Sequence, residues 1–276
     1  MKKIYINPGH SVNDPGAVGY ETERRLNVAV SRYMAAYLLD HYNCQVRITA
    51  DELLTLSEVC SDANRWGADL FVSNHFNAGG GDGYEALVYN QTRVPLGKLF
   101  EQYVLSAGQN SRGVKLRPDL AVLKNTAMPA IVNEGAFVDN LRDISQWNES
   151  KELQALGEAY GKAAAVFLKL EEKYTLRDFV YAVQRATGSE PDGIAGPKTI
   201  RNTVTVSAYK NPTHPVVECV QKRLASLGYT QVGNPDGIAG TKFTQAVKAF
   251  QQDNGCTADG EITARNKTWR KLLGME

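Results

Sequence analysis

"KKIYINPGHSVNDPGA" (residues 2–17) decides how the rest of the chain is read. Ile4, Tyr5 and Ile6 form a short apolar run of strand character that stops abruptly at Pro8-Gly9-His10. A strand that ends in a histidine gains meaning only if other segments bring partners to the same place.

The later segments have that organisation. "ERRLNVAVSRYMAAYLLDHY" (23–42) carries Leu26, Val30, Tyr33, Met34, Tyr37 and Leu38 at helical spacing, with no breaker. "QVRIT" (45–49) alternates as a strand, and "LSEVCSDANRWGA" (56–68) is a helix that Gly67 can cap. "DLFVSNHFN" (69–77) and "YEALVYN" (84–90) are strands joined by a turn rich in glycine (Gly79, Gly80, Gly81, Gly83). A helix around "PLGKLFEQYVLSAGQ" (95–109), the segment "LAVLKN" (120–125), the strand "PAIVNEG" (129–135) and a helix over 151–174 complete the unit. Strands separated by helices predict an α/β domain with a largely parallel twisted sheet flanked by helices, over residues 1–173.

Residues 174–276 differ in character and predict a small α-helical domain. "EPDGIAGPKTI" (190–200) recurs as "NPDGIAGTKFT" (234–244), and a related helix precedes each copy. The segment 175–211 reads as a partial unit and 212–276 as a full one. Asp-Gly supplies a tight turn and the later Thr a helix N-cap, so the repeated residues are largely structural. Tyr229, Phe250 and Trp269 read as core side chains.

Whole-chain properties exclude several classes. Net charge is +1 over 276 residues with no long basic run, which argues against nucleic acid as a partner. No stretch reaches the length of a membrane span. The apolar segment after Met1-Lys2-Lys3 is too short for a secretory signal, so the chain is expected to be made in the cytoplasm and to act elsewhere only after release. Cys44, Cys60, Cys219 and Cys256 show no C-x-x-C spacing and read as buried thiols.

Three strands end in residues able to bind a metal or a proton: His10, His75 and Glu134. In open α/β sheets the ligand crevice lies outside the carboxyl ends of the strands, so topology alone brings these three together. Glu23 opens the helix after the first strand and can turn back towards His10, although an acidic residue there also complements the helix dipole. Two histidines and one carboxylate form the ligand set of a catalytic zinc site, and a second carboxylate is what general-base chemistry needs. His41, at a helix end, and His214, in a Pro-flanked linker, lack such company.

"NPGHSVNDPGAVG" (7–19), "ERRLNVAV" (23–30), "ANRWGADLFVSNHFNAG" (63–79) and "AMPAIVNEGAFVDNLRD" (127–143) resemble, in order, the zinc-dependent N-acetylmuramoyl-L-alanine amidases of the amidase-3 type. That resemblance implies Zn2+ as cofactor, His10, Glu23 and His75 as its ligands, and Glu134 as the catalytic carboxylate. Glu23 is preferred to Glu21 on an E-x-x-x-N pattern with Asn27. The implied reaction hydrolyses the amide between N-acetylmuramic acid and L-alanine of the peptidoglycan stem peptide. Asn77 and Arg112 are candidate substrate contacts, with turn chemistry and a solvated loop as their plainer readings. Residues 217–273 resemble the peptidoglycan-binding type 1 domain, implying the bacterial cell wall as partner and a lysin of phage, prophage or autolysin kind. Some relatives insert a long helical segment before the "RGVK" region. Here only one strand and one helix separate Tyr84 from Ser111, so no protein activator is expected. A zinc peptidase acting on the stem peptide and a non-catalytic wall-binding protein are the alternatives.

Overall fold

The computed structural model describes residues 1–50 and 52–275. It divides into two compact units, Met1–Glu172 and Lys173–Glu276. The first unit contains strands β1 (Lys2–Pro8), β2 (Cys44–Ile48), β3 (Leu70–Asn77), β4 (Tyr84–Val88), β5 (Ser111–Leu116) and β6 (Ala130–Phe137). Its helices are α1 (Glu23–His41), α2 (Leu56–Trp66), α3 (Val94–Ser106), α4 (Ala121–Lys124), α5 (Leu141–Gln146) and α6 (Ser150–Leu168).

The strands form one sheet in the order β2-β1-β3-β6-β4-β5. Every pairing is parallel except β4 with β6, so the sheet is mixed but mostly parallel. The continuous apolar run in β1 follows from cover on both faces. Ile4, Ile6, Val72 and Ile131 pack against Leu26, Val30 and Met34 of α1, Phe100 of α3, and Leu156 and Tyr160 of α6. Tyr5, Phe71, Leu87 and Val132 point the other way, onto Val59 and Cys60 of α2 and Val122 and Leu123 of α4. The α2/α4 cover is shorter than the α1/α3/α6 cover, which leaves the carboxyl ends of the central strands open on that face.

Gly67 caps α2 in the left-handed conformation, and Thr55 closes the other end with a reciprocal capping box to Glu58. Three features depart from the sequence reading. Ser111–Leu116, read as loop, is the edge strand β5. The segments "LAVLKN" and "LRDISQ" form the short helices α4 and α5. The last long helix ends at Leu168, where Lys169 adopts φ 52° as its cap, rather than continuing to 174.

The second unit contains α7 (Leu176–Ala186), α8 (Pro197–Arg201), α9 (Val216–Ser226), α10 (Thr241–Asp253) and α11 (Lys267–Leu272) around one core. Phe179, Val183, Val220, Leu224, Phe243, Phe250 and Trp269 all belong to it, so α7 and α8 share a core with α9, α10 and α11. The tail also repeats three times rather than twice. Gln184 donates to Asp192 Oδ1 (2.8 Å), Gln221 to Asp236 Oδ1 (2.7 Å) and Gln251 to Asp259 Oδ1 (2.9 Å). Each glutamine's Oε1 accepts the amide of the glycine after that aspartate: Gly193, Gly237 and Gly260. All three glutamines are buried. Each reads an Asp-Gly turn and satisfies its backbone, which is why polar side chains persist in a small core.

Trp269 and Phe250 are buried, and half-buried Tyr229 meets Phe250 edge-on at 5.7 Å. Cys44 and Cys60 are buried, whereas Cys219 and Cys256 are only half-buried. Among the described residues no helix is long and apolar enough to cross a membrane.

Candidate active site

The open face at the strand ends holds a cleft of about 420 Å³ lined in part by His10, His75, Glu134, Leu54, Val59 and Val122. His10 follows β1 after Gly9 with φ 66°, a left-handed conformation that a non-glycine residue holds only under constraint from its surroundings. Two glycines of the opening stretch leave room for the imidazoles. A Cβ at Gly9 would lie 2.1 Å from His75 Cε1, and one at Gly16 would lie 2.5 Å from His10 Cδ2. Their side-chain-free positions are a steric condition of the site.

Glu23 begins α1 and is 5% exposed. One carboxylate oxygen lies 3.0 Å from His10 Nε2, and the other lies 2.8 Å from His75 Nδ1. The amide of Ala17 donates to Glu23 Oε2 at 2.9 Å, and Asn27 Nδ2 donates to the carbonyl of Gly9 at 3.1 Å, tying the helix start to the end of β1. His10 Nδ1 meets Asp14 Oδ2 at 2.7 Å, which orients the ring so that Nε2 faces Glu23. Donor atoms of His10, Glu23 and His75 lie within 4.8 Å of one another, a grouping able to hold a metal ion.

The electrostatics ask for positive charge at this point. Its bond to Glu23 raises the His10 pKa to about 9 against the opposing effect of burial, with Asp14 assisting. Burial opposes ionisation of Glu23, but hydrogen bonds from His10 and His75 outweigh it and hold the carboxyl far below the usual carboxylate range. Glu21 takes no part: its carboxylate pairs with Arg25 at 2.8 Å.

Glu134 sits in β6 directly opposite His75 of β3. Among the described residues no hydrogen bond reaches its carboxylate, and burial pushes its pKa up to about 7, with the His75 charge opposing. It is therefore a carboxylate poised to exchange a proton near neutrality.

Asn77 and Arg112 are both present, although neither touches this triad. Arg112 lies on β5, not in a loop, and its Nε donates to Glu85 Oε1 at 2.6 Å. Asn77 Nδ2 donates to Glu85 Oε2 at 3.2 Å, and its Oδ1 accepts the Ala78 amide at 2.8 Å, so it does turn chemistry as well. Glu85 escaped the sequence reading because a lone acid in "YEALV" looks like a solvent-facing strand residue, yet it is 5% exposed. The remaining histidines are structural: His41 Nδ1 lies 2.9 Å from the Tyr37 carbonyl oxygen, and His214 Nδ1 accepts the Val216 amide.

Residues 4–165 match the family model described as N-acetylmuramoyl-L-alanine amidase. The chain belongs to the N-acetylmuramoyl-L-alanine amidase family. Its enzyme class is accordingly that of a hydrolase acting on an amide of peptidoglycan. Residues 213–272 match a peptidoglycan binding domain model. The chain is similar to a sporulation-specific N-acetylmuramoyl-L-alanine amidase of Bacillus subtilis, with 32% identity over 67% of this chain and 74% of that one. It is also similar to an endolysin of Bacillus phage SPP1, with 30% identity over 62% of this chain and 68% of that one. The fold matches the catalytic domain of CwlV from Bacillus (Paenibacillus) polymyxa with a TM-score of 0.59 and 23% identity, over 62% of this chain and all of that domain.

Proposed function

We propose that this chain is a zinc-dependent lysin that cleaves the amide between N-acetylmuramic acid and L-alanine in the cell wall. The observation that carries the zinc assignment is the meeting of two imidazole nitrogens and one buried carboxylate from three separate segments, with a second carboxylate beside them. That donor set fits zinc in chemistry and number, and leaves a coordination position for water or substrate. Zinc held there would supply a Lewis acid for the carbonyl and would lower the pKa of the water to be activated to about 7.

The chain's own residues do the rest. His10, Glu23 and His75 are the ligands. Asp14 holds His10 in the tautomer that turns Nε2 inward, the outer support usual for a metal-bound histidine. Glu134 takes a proton from the attacking water, the carbon–nitrogen bond breaks, and the same carboxyl returns a proton to the departing L-alanine nitrogen. Leu54, Val59 and Val122 give the cleft an apolar wall beside these polar groups.

The 213–272 match supports a tail that holds the enzyme on the insoluble polymer and raises its local concentration there. Between β3 and β5 the chain contains only β4, a 3-10 turn at Gln91–Arg93 and α3, which supports activity without a separate activator. Mass analysis of digested walls tests the reaction: new L-alanine amino termini support it, and cuts confined to the stem peptide would replace it with a peptidase.

A further inference from the structure

The register of the sheet sets three polar side chains in one row across its open face, with a fourth on the same face one pleat away. His75 of β3 pairs with Glu134 of β6, and Glu134 pairs with Glu85 of β4. Directly paired residues project from the same face. Leu87, two residues along from Glu85, belongs to the core on that face and pairs with Lys115 of β5, so Lys115 projects there too. The line runs from the candidate metal centre, through the candidate base, to the edge strand.

At the far end two cations share one anion. Arg112 Nε donates to Glu85 Oε1 at 2.6 Å, and Lys115 Nζ donates to the same oxygen. Glu85 is almost fully buried, with its side chain 6% exposed, whereas the side chains of Arg112 and Lys115 are each 42% exposed. The Arg112 guanidinium is further held over the Phe137 ring at 5.3 Å. Among the described residues, Arg112 donates only through Nε. Its two outer nitrogens, the edge that grips a carboxylate with paired hydrogen bonds, make none. One buried acid neutralises one of the two cations and positions both, which leaves a unit of positive charge on two half-exposed side chains beyond Glu134, outside the walls of the cleft itself.

Span decides what this charge would meet. Neighbouring strands lie about 4.8 Å apart, so β5 is about 10 Å across the sheet from β6. An extended peptide advances about 3.5 Å per residue, so a carboxylate on the residue after L-alanine lies about 7–10 Å from the scissile carbon. We infer that Arg112 and Lys115, positioned by Glu85, form a subsite for a free carboxylate on the second residue of the stem peptide. The stem peptide then runs from the reacting centre towards β5. This inference rests on the amidase reading and adds the direction and charge preference of the substrate.

The test compares two N-acetylmuramoyl tripeptides that differ only in whether the second residue's carboxyl is free or amidated, using the full zinc-loaded chain. The wild type is expected to favour the free acid by about tenfold in kcat/KM, a charge-assisted hydrogen bond's worth of selectivity. Arg112→Ala and Lys115→Met should each pull that ratio towards one, and Arg112→Lys should fall between. Calorimetric binding of the two released tripeptides gives a readout independent of turnover, with the same preference expected in wild type and lost in both variants. Lys115→Met serves if Arg112→Ala fails to fold. Equal cleavage of both substrates by the wild type, or an unchanged ratio in a folded variant, overturns the subsite and leaves the amidase standing. Cleavage of neither substrate overturns the amidase reading itself.

Discussion

The two units of this molecule both bury polar side chains, but for different ends. In the tail, Gln184, Gln221 and Gln251 repeat one solution, each filling a small core and satisfying an Asp-Gly turn close by in the chain. In the amidase domain, His10, Glu23, His75 and Glu134 come from four separate segments, use no repeated pattern, and leave Glu134 without a hydrogen-bond donor among the described residues. A buried polar group that is fully satisfied stabilises a fold. One that is left short of partners, in a cleft, is available for chemistry. Substitutions in the two networks should therefore fail in different ways.

The sharpest contrast is at Glu134. Replacing it with Gln should lower kcat by about a thousandfold, within the range general acid–base catalysis contributes, while zinc content and thermal stability hold. Parallel metal analysis and a thermal melt check that the loss is chemical. Asp14→Ala should weaken zinc affinity by about tenfold, the low end for a residue supporting a metal-bound histidine because Asp14 is largely exposed. Competition with a chromophoric chelator reads that change.

The tail gives the opposite signature. Gln221→Leu leaves the Gly237 amide and the Ile238 carbonyl without their side-chain partner, removes one of the two donors to Asp236 Oδ1, and should cost about 2 kcal/mol of stability. Turnover of a soluble muramoyl tripeptide should be unchanged; a matching loss in kcat would erase the distinction drawn here. The gentlest probe is pH. Glu134 must be ionised to accept a proton, burial raises its pKa to about 7, and a bound dication draws it down. The kcat/KM profile should fall about tenfold per pH unit on the acid side, with its midpoint at or below pH 7. A midpoint well above 7 would assign the limb to another group.

Much of this contrast was legible in the sequence. His10, His75 and Glu134 declared themselves because each ends an apolar strand, and a largely parallel sheet sends strand ends to one edge. Glu23 needed the family resemblance to be chosen over Glu21, since both sit near the helix start and only the fold turns one of them inward. Other features carried weaker signals. The edge strand β5 alternates Arg112, Val114 and Leu116 with Gly113 and Lys115, too polar and too broken to read as a strand. Glu85 looked solvent-facing because its two cationic partners lie 27 and 30 residues away. The third tail repeat hid because it keeps the Gln and the Asp-Gly that make the shared hydrogen bonds but replaces the flanking "IAG" with "EIT".

Zinc content per chain tests the account most directly. Purified protein dialysed against metal-free buffer should retain one zinc ion per chain by mass spectrometry. X-ray absorption should show two imidazoles among its ligands, and both signals should vanish in His75→Ala along with wall lysis. Wild-type protein that dissolves walls without bound metal, or a His75→Ala variant that keeps its zinc, would contradict the central claim.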